Sequence, residues 1–313
     1  MPLYIENGTN PPAIKVTNSL TIELVAAIHY LSDRSHHSFP DKLANAMLNK
    51  LSIDSLKMLK VLSGMRLQGL GLFEFIIKER AFDDVLLLIQ RIHAYDDISF
   101  IYTLLGEVLD CDTIQQVMVD EHKLSELLLD KPNLTNCSIK EFGLLFYNTR
   151  NFKEDIIKLI DEMNNSILLN KLDSLDEDYS KHIEKTKARV RDKKPMDISQ
   201  DIMERQFKRK FDFSEYYFIP SYFIAPHKIR VFCADAQMVV FALEQKESPI
   251  NEVGDRISLV FKIISDRTRL EILRAIIAEP TYGKLLAEKL NLTTATISHH
   301  VEVLKSVQLI KEK

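Results

Sequence analysis

The 313-residue sequence contains no tryptophan and few of the residues that interrupt helices, with eight glycines and ten prolines. Its three cysteines, Cys111, Cys137 and Cys233, form neither a CxxC nor a CxC motif, which excludes a disulfide framework or a cysteine-rich metal site. Scattered cysteines are typical of a reducing compartment, so we expect a cytoplasmic protein. No uninterrupted apolar run approaches the roughly 20 residues of a membrane-spanning helix, so we expect no membrane partner.

Motifs of common catalytic and nucleotide-binding sites are missing as well. The chain has no GxSxG, P-loop, GxGxxG or HExxH pattern. The paired carboxylates Asp83–Asp84 and Asp96–Asp97 fall at predicted helix starts, where capping and the helix dipole explain them. His36–His37 could bind a metal, but an exposed histidine pair is more often incidental. We therefore predict no enzymatic activity, no cofactor and no metal site.

The charge of the chain is unevenly distributed. The overall net charge of −4 divides into −7 for residues 1–254 and +3 for residues 255–313. A hydrophobic content of 46% and a charged content of 27% are typical of a soluble globular protein, and the length favours two or more domains. A mildly basic terminal segment on an acidic body suits DNA binding.

The end of the chain shows the clearest pattern, which predicts three short amphipathic helices. Asp266 can cap the first helix, whose predicted inward face comprises Leu270, Leu273, Ile276 and Ile277. Thr281, after Pro280, can cap the second helix, whose predicted inner side comprises Leu286, Ala287 and Leu290. Asn291 suits the following turn because asparagine tolerates the left-handed conformation.

The third helix is predicted over residues 294–306, with Thr293 as its cap. Its inward positions are Ile297, Val301 and Leu304, at helical spacing. Its outward positions are then Thr294, Ala295, Ser298, His299 and Glu302. Two helices joined by so short a turn form a helix-turn-helix, whose last helix enters the DNA major groove. Small and hydrogen-bonding residues near its N-terminus suit contact with base edges and phosphate.

The segments 261-FKIISDRTRLEIL-273 and 286-LAEKLNLTTATISHHVEVLKSVQLI-310 resemble the ArsR-type winged helix-turn-helix repressors. The resemblance covers about the last sixth of the chain, and ATISHHVEVL is its most specific part. It implies that Thr294, Ser298 and His299 face the groove. It also implies that Lys284, Thr293, Thr296 and His300 lie near the DNA backbone. We add Ala295 and Lys305 to this predicted DNA-binding set.

The sequence departs from the family pattern at two places. Arg267 stands where the family usually has proline, a minor change at a first helical position. The β-hairpin wing and the final dimer helix would follow Lys313, so the segment is expected to lack its wing. Repressors of this type bind double-stranded DNA as homodimers on palindromic operators. We therefore expect the dimer contact on Arg256–Ile264 and on surfaces of the N-terminal domain.

The remainder of the chain predicts a mainly α fold with a small β element. Ser19 can cap a helix through Leu31, and further helices are predicted at 41–50, 52–62, 82–93, 96–109, 112–119, 121–129, 139–147 and 151–170. Residues 171–212 are heavily charged and predict an exposed helix pair interrupted by Pro195. Predicted strands are Tyr216–Ile219, Ser221–Ile224, Ile229–Ala234 and Met238–Leu243.

These elements predict four segments. They are a helical regulatory or assembly domain at 1–210, a small β element at 211–245, a linker at 246–255 and the helix-turn-helix module at 256–313. Two functions stay open. One is a DNA-binding transcriptional regulator, a repressor whose N-terminal domain senses a small-molecule or protein effector or mediates assembly. The other is a protein-interaction scaffold that uses the helix-turn-helix as a docking or dimer surface.

Overall fold

The structure, a computed structural model, describes residues 11–34, 37, 39, 41–207, 211–243, 260–279, 282–290, 292–306 and 309–310. The chain divides into two compact units, Met1–Glu244 and Gln245–Lys313. The predicted linker at 246–255 lies outside the described residues.

Helices dominate the first unit, which confirms the mainly α fold class. They are α1 Leu20–Ser32, α2 Asp41–Leu48, α3 Ile53–Gly64, α4 Leu72–Glu79, α5 Val85–Ala94, α6 Asp97–Leu104, α7 Cys111–Val119, α8 Glu121–Asp130, α9 Ile139–Tyr147, α10 Thr149–Met163, α11 Ser166–Asp173, α12 Asp176–Asp192 and α13 Pro195–Met203. Within these ranges no helix is both long enough and apolar enough to cross a membrane.

Helix α1 lies at the centre of the first unit. Ser19 caps it as predicted, with its Oγ accepting the N–H of Ile22 at 3.2 Å. Every residue from Thr21 to Leu31 is buried, because α1 packs against α3, α4, α5, α10 and the sheet. The helix predicted through Leu31 is therefore buried on all sides, and it takes Glu23 and His29 into the interior.

Side-chain caps define the starts of several other helices. Asp84 and Asp96 accept the backbone N–H groups of Leu87 and Ser99, both at 2.9 Å, which confirms the capping interpretation. The prediction of a single helix at 151–170 is wrong, because two separate helices, α10 and α11, occupy this segment. Asn165 supplies the new cap there, with Oδ1 accepting the N–H of Ile167 at 2.9 Å.

A four-stranded sheet belongs to the same unit. Its strands are β1 Ala13–Val16, β2 Glu215–Ser221, β3 Lys228–Phe232 and β4 Ala236–Ala242, in the order β1-β2-β4-β3. β1, β2 and β4 are parallel, and β3 is antiparallel to β4. Because β1 comes from the opposite end of the unit, the sheet is not the separate element that the local pattern of residues 211–245 predicts.

The strand predicted at Ser221–Ile224 is wrong beyond its first residue. β2 ends at Ser221, and the chain turns, with the N–H of His227 donating to the carbonyl of Ile224 at 2.8 Å. Aromatic and β-branched residues are common in this turn because it is buried, and burial favours the same residue types as a strand.

The two faces of the sheet bury different sets of side chains. On one face, Tyr217, Ile219, Met238 and Val240 join the main core. On the other, Tyr216, Phe218, Val239 and Phe241 pack against Met196, Ile198 and Ile202 of α13. The predicted exposed helix pair is therefore wrong for α13, which covers the sheet. Its few apolar residues are surrounded in the sequence by charged residues, so the local pattern favours an exposed helix.

Candidate nucleic-acid interface

The second unit is built on the three helices that the sequence predicts. They are α14 Arg267–Ala278, α15 Gly283–Leu290 and α16 Thr294–Ser306, and residues 260–264 are also helical. A small core joins them, made of Ile263, Ile272, Leu286, Ala287, Ile297 and Leu304. The inner side predicted for α15 is confirmed, since Leu286 and Ala287 are buried and Leu290 packs against the same core.

Two of the predicted caps are present. Asp266 Oδ1 accepts the N–H of Arg269 at 2.9 Å, and Thr293 Oγ1 accepts the N–H of Thr296 at 3.1 Å. Thr281 and Asn291 lie outside the described residues. The end of α15 is closed by the N–H of Leu292, which donates to the carbonyl of Ala287 at 3.0 Å. Capping thus fixes where α14 and α16 begin. The start of α16 in turn fixes where the turn between α15 and α16 ends.

The predicted inward face of α14 is partly wrong. Leu270 and Ile277 are 48% and 83% exposed, whereas Ile272 is fully buried. Successive residues are about 100° apart around a helix, so Leu270 and Ile277 share a line turned away from Ile272 and Ile276. Leu273 and Ile276 do pack against the core. α14 carries apolar residues on more than half of its circumference, and packing against α15 and α16 selects which of them are buried.

The orientation predicted for α16 is confirmed. Ile297 and Leu304 are buried and Val301 packs beside them. The exposed side chains of the predicted DNA-binding set are Lys284, Thr293, Thr294, Ser298 and His299. Its half-buried side chains are Thr296, His300 and Lys305, and for Ala295 the structure describes the backbone alone. The structure therefore brings the hydroxyl groups and His299 together at the first two turns of α16.

The two adjacent histidines of α16 have different surroundings. Their ring centroids are 5.8 Å apart, with His299 exposed and His300 half-buried. The pKa of Asp266 is held below its usual range, first by the N–H of Arg269 and also by the positive charges of Arg269 and His300. His300 thus lies toward the start of α14, while His299 is the more open of the pair.

The cations of the module differ in how they are held. Lys305 forms an ion pair with Glu302 at 3.1 Å on the same helix. Lys289 lies 3.7 Å from Glu279. Lys284 is exposed at the start of α15. A DNA phosphate would compete with the exposed carboxylate of Glu302 for Lys305, which is half-buried.

Residues 266–312 match the profile of the family described as bacterial regulatory protein, arsR family. The match spans α14, α15 and α16 and confirms the resemblance that the sequence predicts for this segment. Residues 266–312 therefore form an ArsR-type helix-turn-helix module, of the class found in DNA-binding transcription regulators. No curated protein and no solved structure gives a significant match to the chain.

A cluster of histidines in the first unit was not predicted from the sequence. His37 was expected to be exposed, yet it is only 5% exposed and lies against His29 and His227. His36 lies outside the described residues. The three histidines that meet are spread over some 200 residues, so no motif spacing marks them. The only local signal is the placement of His29 within the apolar pattern of α1.

Proposed function

We propose that the protein is a transcriptional repressor that reads a palindromic operator in double-stranded DNA through α16. The observation that supports this most directly is the exposed, hydrogen-bonding first half of α16, mounted on a packed three-helix core. Thr294 and Ser298 are four residues apart and therefore lie on one line of the helix, with His299 beside them. A helix fits the major groove, and its N-terminal residues are those that reach base edges.

Contacts to the DNA backbone would come from the edges of this surface. Lys284 is exposed at the start of α15. The Thr293 and Thr296 hydroxyls are 2.8 Å apart at the N-terminus of α16, where Thr293 is exposed and Thr296 is half-buried. Hydroxyl groups, cations and helix N-termini are common phosphate ligands. We assign Thr294, Ala295, Ser298 and His299 to the groove, and Lys284, Thr293, Thr296, His300 and Lys305 to the backbone.

The proposed repressor acts as a homodimer, since two half-sites one DNA turn apart require two recognition helices. Phe261, in the described part of the predicted dimer segment Arg256–Ile264, is 65% exposed and suits such a contact. In this proposal the first unit senses a small-molecule or protein effector or contributes to assembly. The alternative of a docking scaffold is favoured by one observation, the exposure of Leu270 and Ile277 on α14. DNA binding distinguishes the two.

The affinity for duplex DNA is expected to fall steeply with salt. Each neutralised phosphate releases counterions, and the logarithm of the binding constant falls with the logarithm of salt concentration by about 0.9 per contact. Gel-shift titrations of the full chain with selected duplexes, repeated at several salt concentrations, measure the slope. Lys284→Ala should make this slope shallower by about one contact. Failure of the chain to bind any duplex at low salt would contradict the repressor proposal and favour the scaffold.

Sequence-specific binding is expected to depend on Ser298 and His299. The double variant Ser298→Ala/His299→Ala removes exposed side chains, so the free energy of unfolding should change by no more than about 0.5 kcal/mol per site. Operator affinity should fall by about 1–3 kcal/mol for each lost base contact, while binding to unrelated DNA changes little. Titration of both DNAs, with thermal melting as the stability check, measures the two effects.

Arg274→Ala is the matched control, because Arg274 is an exposed cation on α14 that lies outside the assigned surface. It should leave the ratio of operator to non-operator affinity unchanged. An unchanged ratio in the double variant as well would show that another face of the module reads the DNA.

A further inference from the structure

Three histidines from separate segments meet inside the first unit. His29 is on the last turn of α1, His37 follows α1, and His227 is in the turn between β2 and β3. Their ring centroids are 5.0 to 5.7 Å apart, and one potential donor nitrogen from each lies within 4.8 Å of the other two. His29 and His37 are buried, and His227 is half-buried. This is the single group of this kind among the described residues.

Hydrogen bonds orient two of the rings in the way that metal ligands are usually oriented. His29 Nδ1 lies 3.0 Å from the carbonyl oxygen of Gln68, and His37 Nδ1 lies 2.7 Å from that of Ala225. A carbonyl oxygen only accepts, so each Nδ1 carries the proton and each Nε2 bears the lone pair. Metal-binding histidines typically donate their second ring N–H to a backbone carbonyl or carboxylate, which fixes the tautomer.

The environment of His37 leaves its second nitrogen in need of a partner. Its Nε2 is buried and has no hydrogen-bond partner in the described structure. A buried acceptor without a partner costs about 1–3 kcal/mol, and ligation of a cation would remove that cost.

We propose that His29, His37 and His227 together bind one divalent transition-metal ion of the Zn²⁺ class. Imidazole nitrogen suits Zn²⁺, Co²⁺, Ni²⁺ and Cu²⁺, whereas Mg²⁺ and Ca²⁺ prefer oxygen. With bonds of about 2.0–2.1 Å, three nitrogens of a tetrahedral site lie about 3.4 Å apart. The three histidine nitrogens lie within 4.8 Å of one another, so side-chain rotations that move each nitrogen by about 1 Å would complete the site. Three protein ligands leave a fourth position for water or another ligand.

The surroundings support the binding of a cation. Asp33, at the end of α1, carries a negative charge that acts on His37, and its Oδ2 accepts a hydrogen bond from Gln68 Nε2 at 2.9 Å. Gln68 thus holds both His29, through its backbone, and Asp33, through its side chain. A bound ion would connect α1, the segment after it and the turn before β3. The site lies within the first unit and does not depend on the proposed reading of DNA.

The test uses the full chain without an affinity tag, titrated with Co²⁺ as a spectroscopic probe and then with Zn²⁺. We expect one Co²⁺ per chain with visible absorption typical of nitrogen ligation, displaced by Zn²⁺ but not by excess Mg²⁺. His37→Ala and His227→Ala should each weaken Co²⁺ binding by more than the roughly 10–100-fold that loss of an outer-shell partner costs. Zn²⁺ should raise the melting temperature of the native chain and not of these variants.

Two controls separate this site from other histidines. His93→Ala removes an exposed histidine of α5, and His299→Ala/His300→Ala removes the pair on α16; both should bind Co²⁺ like the native chain. Circular dichroism checks that each variant folds. If His37→Ala does not fold, the Co²⁺ affinity of His227→Ala tests the proposal. Absence of stoichiometric binding by the native chain, or equal affinity in a folded His227→Ala variant, would overturn the proposal.

Discussion

Replacing Glu23 by alanine is expected to lower the free energy of unfolding of the first unit by at least about 3 kcal/mol, because the change leaves several buried donors without an acceptor. Glu23 is only 2% exposed. Its Oε1 accepts the N–H of Tyr222 at 2.7 Å and the hydroxyl of Tyr179 at 2.5 Å, and its Oε2 accepts the N–H of Phe223 at 3.1 Å.

These hydrogen bonds connect parts of the unit that are far apart in the sequence. The carboxylate joins α1 to the turn after β2 and to α12, so its loss affects more than one contact. Each buried donor left without a partner costs about 1–3 kcal/mol, and truncation to alanine also leaves a cavity. Denaturant unfolding of the native chain and of Glu23→Ala, followed by circular dichroism, measures the difference.

Glu126→Ala is the matched control for this prediction. Glu126 is exposed and pairs with Lys123 at 2.7 Å within α8. A surface ion pair contributes about 0–1 kcal/mol, so this variant should unfold almost like the native chain. Equal effects of Glu23→Ala and Glu126→Ala would show that the buried carboxylate does not stabilise the fold.

Glu23 also makes the stability depend on pH. Burial raises its pKa from 4.5 to about 7, and the hydrogen bonds from Tyr179, Phe223 and Tyr222 only partly offset this. Below pH 4.5, the pKa of Glu23 in the unfolded chain, the side chain is protonated in both the folded and the unfolded state, and its contribution to stability is fully present. This contribution is lost as the pH rises through the folded-state pKa of about 7, because the buried group must then ionise. Glu23→Gln cannot ionise and should lack this decline. Unfolding at pH 5, 6, 7 and 8 compares the slopes, and parallel slopes would contradict the assignment.

Replacing Ile272 or Leu304 by alanine is expected to destabilise the second unit by about 2–5 kcal/mol, because each change leaves a cavity in its core. Both side chains are fully buried in a cluster of six residues. A small module has little stability in reserve, at roughly 0.05–0.15 kcal/mol per residue, so either change approaches the whole of it. DNA binding should then be lost through unfolding and not through loss of a contact.

Leu270→Ala and Ile277→Ala are the controls, since they remove similar side chains from the same helix at exposed positions. Each should alter stability by no more than about 0.5 kcal/mol. Hydrogen exchange in the full chain reports on α14, α15 and α16 separately from the first unit. Stronger destabilisation by Leu270→Ala than by Ile272→Ala would mean that α14 packs with its other face inward.

The helix-turn-helix could be predicted almost completely because its information is local. Caps such as Asp266 and Thr293 act within one turn of their helix, and the periodic spacing of Ile297 and Leu304 fixes the buried side of α16. The same local logic predicted Ser19, Asp84 and Asp96 as caps in the first unit. Local patterns failed at α14, where apolar residues surround much of the helix and the neighbouring helices select the buried side.

The sequence by itself therefore determined the mainly α class, the three terminal helices and the face of α16 that is left open. Only the tertiary structure placed β1 beside β2 and brought His227 to His29 and His37. It also placed the Glu23 carboxylate where it accepts the N–H of Tyr222 in the turn after β2. These pairings join residues about 200 positions apart, and a single sequence carries no periodicity over such distances. The contacts of Glu23 and His29 arise because α1 is buried on every side, so each polar group that it carries inward must find its partners among distant segments of the chain.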